Sequence, residues 1–154
     1  MLRQSMSILE YIDEIWPERP LLPATARDRQ RVRALSQVIA CDIHPLNNLR
    51  VLQYLENEWG VPQAERETWA KHWMAEGFAA FEALLHDHPS TGDYCDGDVP
   101  TLADCCLVPQ VYNARRFGVD LSPYPTILRI EEACLRLPAF QAARPENQPD
   151  APAQ

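Results

Sequence analysis

No stretch of the chain approaches the length of an apolar membrane span, and the opening MLRQSMSILE has one early arginine and no long apolar run of the kind that marks an export signal. The sequence therefore reads as unexported and free of a membrane-crossing helix. It also lacks an excess of positive charge: 14 Lys and Arg against 22 Asp and Glu give a formal charge of −8. That balance offers no broad positive field to a polyphosphate, which argues against nucleic acid and anionic membrane surfaces as partners. Any anionic substrate has to be held by a few local arginines. Metal-ligand spacing is missing too. His44, His72, His86 and His88 are not interleaved with cysteines at the intervals that zinc sites use, and His86-Asp87-His88, just ahead of Pro89, reads as a solvated helix end. The five cysteines (Cys41, Cys95, Cys105, Cys106, Cys134) are an odd set, and the adjacent pair lies in an apolar helical run. This is no disulfide framework; it reads as free, mostly buried thiols in a reducing cytoplasm. The sequence shows neither a strand pair nor an internal repeat.

What the 154 residues do hold, at 46% hydrophobic composition, is enough for one ordinary core. Ile8, Leu9, Ile12 and Ile15 step at helical intervals from Ser5, and Pro17 stops that helix. Pro17, Pro20 and Pro23 cannot donate a backbone hydrogen bond, so residues 17–24 read as an extended linker and the one domain boundary. From about Thr25, Val32, Leu35, Ile39, Ile43 and Leu46 form a stripe that Leu49, Leu52 and Leu55 continue. Pro45 lies inside it and removes the bond to the Cys41 carbonyl, so a kink is expected near His44. A second long helix after Gly60-Val61-Pro62 is expected to turn Trp69, Trp73, Gly77, Phe81 and Leu84 to one side and to end before Pro89.

The polar stretch from Ser90 to Pro100 reads as a loop. Thr101 to Asn113 is apolar nearly all round, which places that helix in the middle of a bundle, and Thr101 and Asp104 have the spacing of a capping box. A helix from Pro125 to Leu135 and a short one near Ala139 complete an all-α chain, and the polar, proline-rich residues 146–154 read as a flexible tail. Tyr54, Tyr112 and the tryptophans are expected in the core, and Cys105 and Cys106 as packing residues.

Periodicity alone yields a bundle without chemistry. Three blocks say more. LRQSMSILEYIDEIWPERPLLP resembles the end of the thioredoxin-like domain of glutathione transferases, where a Gln/Glu-Ser pair opens a helix and a proline linker leads into the helical domain. CDIHPLNNLRVLQYL, and above all TLADCCLVPQVYNARRFGVDLSPYPTI, are similar to the zeta class, which acts as maleylacetoacetate or maleylpyruvate isomerase. The likeness runs from Leu2 to about Pro149 and implies a glutathione-transferase C-terminal helical bundle over residues 25–145. It also implies that residues 1–16 are the last helix of a thioredoxin-like domain most of which is missing. The serine-rich helix start that activates the glutathione thiol in that class is not in the sequence. No catalytic residue is carried over, and the chain as given is expected to be inactive.

What the resemblance implies for single residues stands beside a plainer account of each. Gln4 and Ser5 would hold the γ-glutamyl end of glutathione at a helix start, where free N–H groups favour carboxylates; simple capping by Ser5 is the alternative. His44 and Asn48, four apart, would share a helix face toward glutathione, although a lone helical histidine is more often a surface residue. Arg50, about 120° off that face on a straight helix, would assist with substrate if the kink brings it in. Arg116, immediately before Phe117, matches the arginine that holds a substrate carboxylate in the class. Arg115 does not, and a cation near a helix C-terminus is favourable on dipole grounds for either. The implied activity is glutathione-dependent cis–trans isomerisation of a maleyl dicarboxylate in aromatic breakdown, by a cytoplasmic homodimer. A general conjugating transferase and a non-catalytic helical module are the alternatives.

Overall fold

The computed structural model describes residues 1–151, and every regular element among them is helical, as the hydrophobic periodicity requires. Helix α1 is Ser5–Ile15, α2 is Ala26–Gln37, α3 is Leu49–Asn57 and α4 is Gln63–Leu85. The central α5 is Leu102–Phe117, followed by α6, Pro125–Leu135, and α7, Pro138–Ala142. No helix of the described residues is long and apolar enough to cross a membrane.

Helix α5 is the axis of the core: Leu102, Ala103, Leu107, Val111 and Ala114 have no exposed surface. The expected capping box starts it. The buried Asp104 carboxylate accepts the Thr101 N–H at 2.7 Å and the Thr101 hydroxyl at 2.8 Å, and it also takes the Cys95 N–H at 2.9 Å. One carboxylate thus ties the loop of residues 90–100 to the helix start. The same loop is held from α2, where Arg31 donates to the Cys95 carbonyl at 2.7 Å, Asp96 at 2.5 Å and Thr91 at 2.8 Å. Helix α6 borrows its cap: Glu82 of α4 accepts from Thr126 N–H and Ile127 N–H at 2.9 Å each, satisfying two of the orphan donors of a helix start.

The kink expected at His44 is a three-part break. A π-helical turn over Val38–Ile43 runs into a 3-10 turn over His44–Asn47, and Asn48 is extended at φ −67° and ψ 143°. Two causes combine. Pro45 has no N–H to continue the ladder, and the Asn48 side chain accepts the Arg50 N–H at 3.1 Å, starting α3 afresh. The reasoning that placed His44 and Asn48 on one straight helical face therefore does not apply; the chain changes direction between them. Gly77 makes room for the wide turn, because a Cβ there would lie 2.5 Å from Ile43 Cδ1 and closer still to Cγ1.

On α4 the buried line is Ala70, Met74, Phe78, Phe81 and Leu85, one position round from the expected stripe. Trp69 and Trp73 stand at its edge, ring centroids 5.7 Å apart, and Trp69 satisfies its indole N–H there by donating to the Leu46 carbonyl at 2.7 Å. Leu84, expected inside, is exposed. So are Trp16, Tyr54 and Trp59, the last two meeting edge to face on the surface at 5.9 Å, and Leu49, which the apolar stripe of α2 and α3 was expected to include.

Helix α1 is fastened by a residue that periodicity overlooked. Asp13 is buried and accepts the N–H groups of Leu21 and, at 3.2 Å, Leu22, while Leu102 N–H donates to the Leu21 carbonyl at 3.0 Å. The outer face of α1 carries exposed Tyr11, Ile12 and Ile15. Beyond α7 the chain turns back through a 3-10 turn, Pro145–Asn147, with Asn147 donating to the Gln141 carbonyl at 2.6 Å and Gln148 to that of Ala142 at 2.8 Å. Residues 152–154 of the expected tail lie outside the described residues.

Candidate functional site

The start of α1, the break before α3, one face of α5 and the returning Pro145 enclose a cleft of about 440 Å³. Ser5, His44 and Arg116, distant in sequence, all line it. Gln4 precedes Ser5 with φ 68° and ψ 111°, a region that residues other than glycine rarely enter and that tends to be retained at functional positions. Its carbonyl accepts the Ile8 N–H at 3.0 Å, and no side chain caps the helix. Ser5 is thus the first helical residue and not a cap, and the first-turn N–H groups of α1 remain without helical partners beside the cleft. Asn48 and Arg50 are not among the lining residues: Asn48 spends its side-chain oxygen on the start of α3, and Arg50 is exposed beyond it.

The two arginines at the end of α5 have different surroundings. Arg115 forms an ion pair with Glu131 of α6, a carboxylate that is 7% exposed. Arg116 is exposed, lines the cleft and has no ion-pair partner among the described residues. The guanidinium open to a ligand is that of Arg116. Next to it the Tyr112 phenol is raised in pKa, first by its hydrogen bond to Glu146 and then by desolvation, with Arg116 opposing. Tyr112 lines the cleft instead of the core.

Behind His44 lies a set of amides that motif reading missed. Buried Asn47 donates to the Ile43 carbonyl at 3.3 Å and accepts from Asn113 at 3.2 Å. Gln110 is 3% exposed, also lines the cleft, and its Nε2 has no hydrogen-bond partner among the described residues. A glutamine within an otherwise apolar helix was the available signal. Cys105 and Cys106 line the same cleft, but burial pushes their thiols up to about 12 and about 11, with Asp104 adding to both. Burial thus favours the protonated thiol at both positions and argues against either as the nucleophile. No group of three or more metal-ligating side chains is present among the described residues. A larger cavity of about 580 Å³ lies across Pro109 and Tyr112, walled by Val108, Leu135 and Phe140, and gathers none of the candidate glutathione- or substrate-binding residues named from the sequence.

In chemical terms the cleft offers helix-start N–H groups, a hydroxyl, an imidazole and an unpaired guanidinium. That donor set suits a ligand with several carboxylates. Comparison with known proteins agrees with this character. Residues 63–142 match the family described as "Glutathione S-transferase, C-terminal domain". The chain is 52% identical over 150 residues to the maleylpyruvate isomerase of a Ralstonia species, covering 97% of this chain and 71% of that protein. The holo structure of maleyl pyruvate isomerase, a bacterial zeta-class glutathione S-transferase, superposes with a TM-score of 0.96 at 52% identity, over 98% of this chain and 71% of that one. Maleylacetoacetate isomerase from Anaeromyxobacter dehalogenans, solved with glutathione in its active site, superposes with a TM-score of 0.92 at 50% identity, over 98% of this chain and 68% of that one. With half its residues shared over nearly its whole length, the chain belongs to the zeta-class glutathione transferases, the family of the maleylacetoacetate and maleylpyruvate isomerases.

Proposed function

We propose that the protein takes part in the glutathione-dependent cis–trans isomerisation of a maleyl dicarboxylate, maleylacetoacetate or maleylpyruvate, in aromatic breakdown. The observation that carries this reading is the unpaired Arg116 in one cleft with the start of α1 and His44, while its neighbour Arg115 is neutralised by Glu131. The cleft's donor set fits glutathione, a peptide with two carboxylates. The free N–H groups of α1, with Gln4 and Ser5, would hold the γ-glutamyl carboxylate, and His44 would bond along the peptide, with the side-chain N–H₂ of Asn48 reaching it from outside the cleft lining. The chemistry supplied by bound glutathione is reversible thiolate addition to the cis double bond, which lets that bond rotate. Arg116 would clamp a substrate carboxylate bidentately, with Arg50 assisting from outside the cleft lining. Fixing the carboxylates limits the substrate to one orientation as the bond turns.

The cavity beyond Tyr112 and Pro109 leaves room for the longer maleylacetoacetate as well as for maleylpyruvate. Residues 17–24 serve in this reading as the linker to a helical domain over 25–145. The 154 residues include no serine-rich helix start, so assayed as a polypeptide of this length the chain is expected to bind parts of its ligands without turnover. Free thiols, four of them with pKa raised through burial, favour the reducing cytoplasm. Leu49, Tyr54 and Trp59 offer exposed apolar surface to a second copy in a homodimer. The test is turnover of both maleyl substrates, with and without glutathione, by the gene product expressed from its full reading frame. An acceleration that needs glutathione without consuming it is the expected result.

A further inference from the structure

We propose that Gln110 is a ligand-binding residue of the cleft, donating its amide N–H to a neutral carbonyl oxygen of the bound molecules. The proposal rests on the isomerase reading above and adds a contact to it. Gln110 sits on α5, in a helix whose buried positions are mostly apolar, and is itself almost wholly buried. Among the described residues its Nε2 has no hydrogen-bond partner. The amides of Asn113 and Asn47 are engaged elsewhere: Asn113 donates to Asn47, and Asn47 donates to the Ile43 carbonyl. An unpaired buried N–H destabilises a fold, and an apolar side chain of the same length would not carry that penalty. Packing therefore gives no reason for a glutamine here.

Its position does. Gln110 lines the cleft together with Ser5, His44 and Arg116. The terminal amide torsion of glutamine is soft, so the N–H₂ can turn toward the cleft when an acceptor arrives. The charged ends of the ligands are matched by Arg116 and the start of α1. A neutral donor in the same cleft suits a neutral oxygen, either a peptide carbonyl of glutathione or the keto oxygen of the maleyl substrate. These share one chemistry and are separable by experiment.

The test replaces Gln110 with its apolar isostere, Gln110→Met, with Gln110→Leu as a second variant, in the gene product expressed from its full reading frame. Three quantities are measured: the melting midpoint, the Kd for glutathione alone by calorimetry, and kcat/KM for the maleyl substrate at saturating glutathione. The melting midpoint is expected to stay level or rise while ligand recognition weakens about tenfold, the loss typical of one hydrogen bond. A tenfold rise in the glutathione Kd assigns the peptide carbonyl. A tenfold fall in kcat/KM with unchanged Kd assigns the keto oxygen. A lowered midpoint in both variants, or unchanged binding and kinetics, would overturn the proposal by making Gln110 structural or idle. If the parent protein neither binds glutathione nor isomerises, the isomerase reading itself fails, and the assignment of Gln110 falls with it.

Discussion

Neighbouring arginines at the end of α5 should separate into one that supports stability and one that supports recognition. Glu131 is 7% exposed, and its ion-pair partner is Arg115, whose side chain is 51% exposed. Removing one member of a fully buried pair costs about 3–5 kcal/mol; with one side open to water and its screening, about 1–2 kcal/mol is expected for Arg115→Ala. For a chain of this size that lowers the melting midpoint by about 2–8 °C. Arg116 has no ion-pair partner to lose among the described residues, so Arg116→Ala should leave the midpoint within about 1 °C. It should instead lower kcat/KM for the maleyl substrate by about 1.5–3 kcal/mol, roughly 10- to 150-fold, the range for a hydrogen bond to a charged group. The assay pairs thermal melts with steady-state kinetics on the two single variants. Equal kinetic losses at both positions, or a stability loss at Arg116 as large as at Arg115, would refute the division of roles and leave only the favourable helix-end charge.

Gly77→Ala should destabilise the fold by about 1–3 kcal/mol, because the new methyl meets the Ile43 side chain and has to push the turn before His44 aside; chemical denaturation with an unchanged m-value checks it. Thr101→Ala should lose about 1 kcal/mol as the cap of α5 goes. Asp104→Ala should lose more, about 2–4 kcal/mol, since it strands the Cys95 and Thr101 N–H groups in the interior, and an equal effect of the two variants would contradict the network drawn from their distances. Among the thiols, exposed Cys41 should be alkylated at pH 8 in the folded protein while Cys105 and Cys106 resist until it unfolds, counted by mass spectrometry. The folded values of about 12 and about 11 lie above the ordinary 9.0, so unfolded thiols ionise first as pH rises and stability should fall above about pH 9, with no such contribution below it.

The helices were legible because their signals are local. Proline marked the end of α1 and the start of α6, and Thr101 with Asp104 marked the start of α5. What period alone could not supply was the side of α4 that faces inward, since the large indoles of Trp69 and Trp73 resemble core residues in a pattern yet stay at the edge, where Trp69 satisfies its N–H on the Leu46 carbonyl. The form of the break at Pro45 was hidden for a similar reason: a missing N–H announces a bend, but the π-helical turn also depends on Gly77, more than thirty positions away, accepting Ile43. Of the residues singled out for glutathione and substrate, Ser5, His44 and Arg116 meet in one cleft, and Gln4 adjoins it with a strained backbone. Asn48 was linked to His44 by a shared helix face, which the extended Asn48 breaks, and Arg50, named through the resemblance and about 120° off that face, does not line the cleft. Asn47, Gln110 and Asn113 carry no motif at all; their amides become informative only through what each does or does not bond.

The central claim is that this protein isomerises a maleyl dicarboxylate with glutathione as a returned reagent. Its most direct test follows the conversion of maleylpyruvate to the trans product by the gene product expressed from its full reading frame, with glutathione present far below the substrate concentration. The account predicts many turnovers per glutathione, no loss of free thiol over the course, and no acceleration when glutathione is left out. Stoichiometric consumption of the thiol, or a rate no greater than that of glutathione alone, would contradict it.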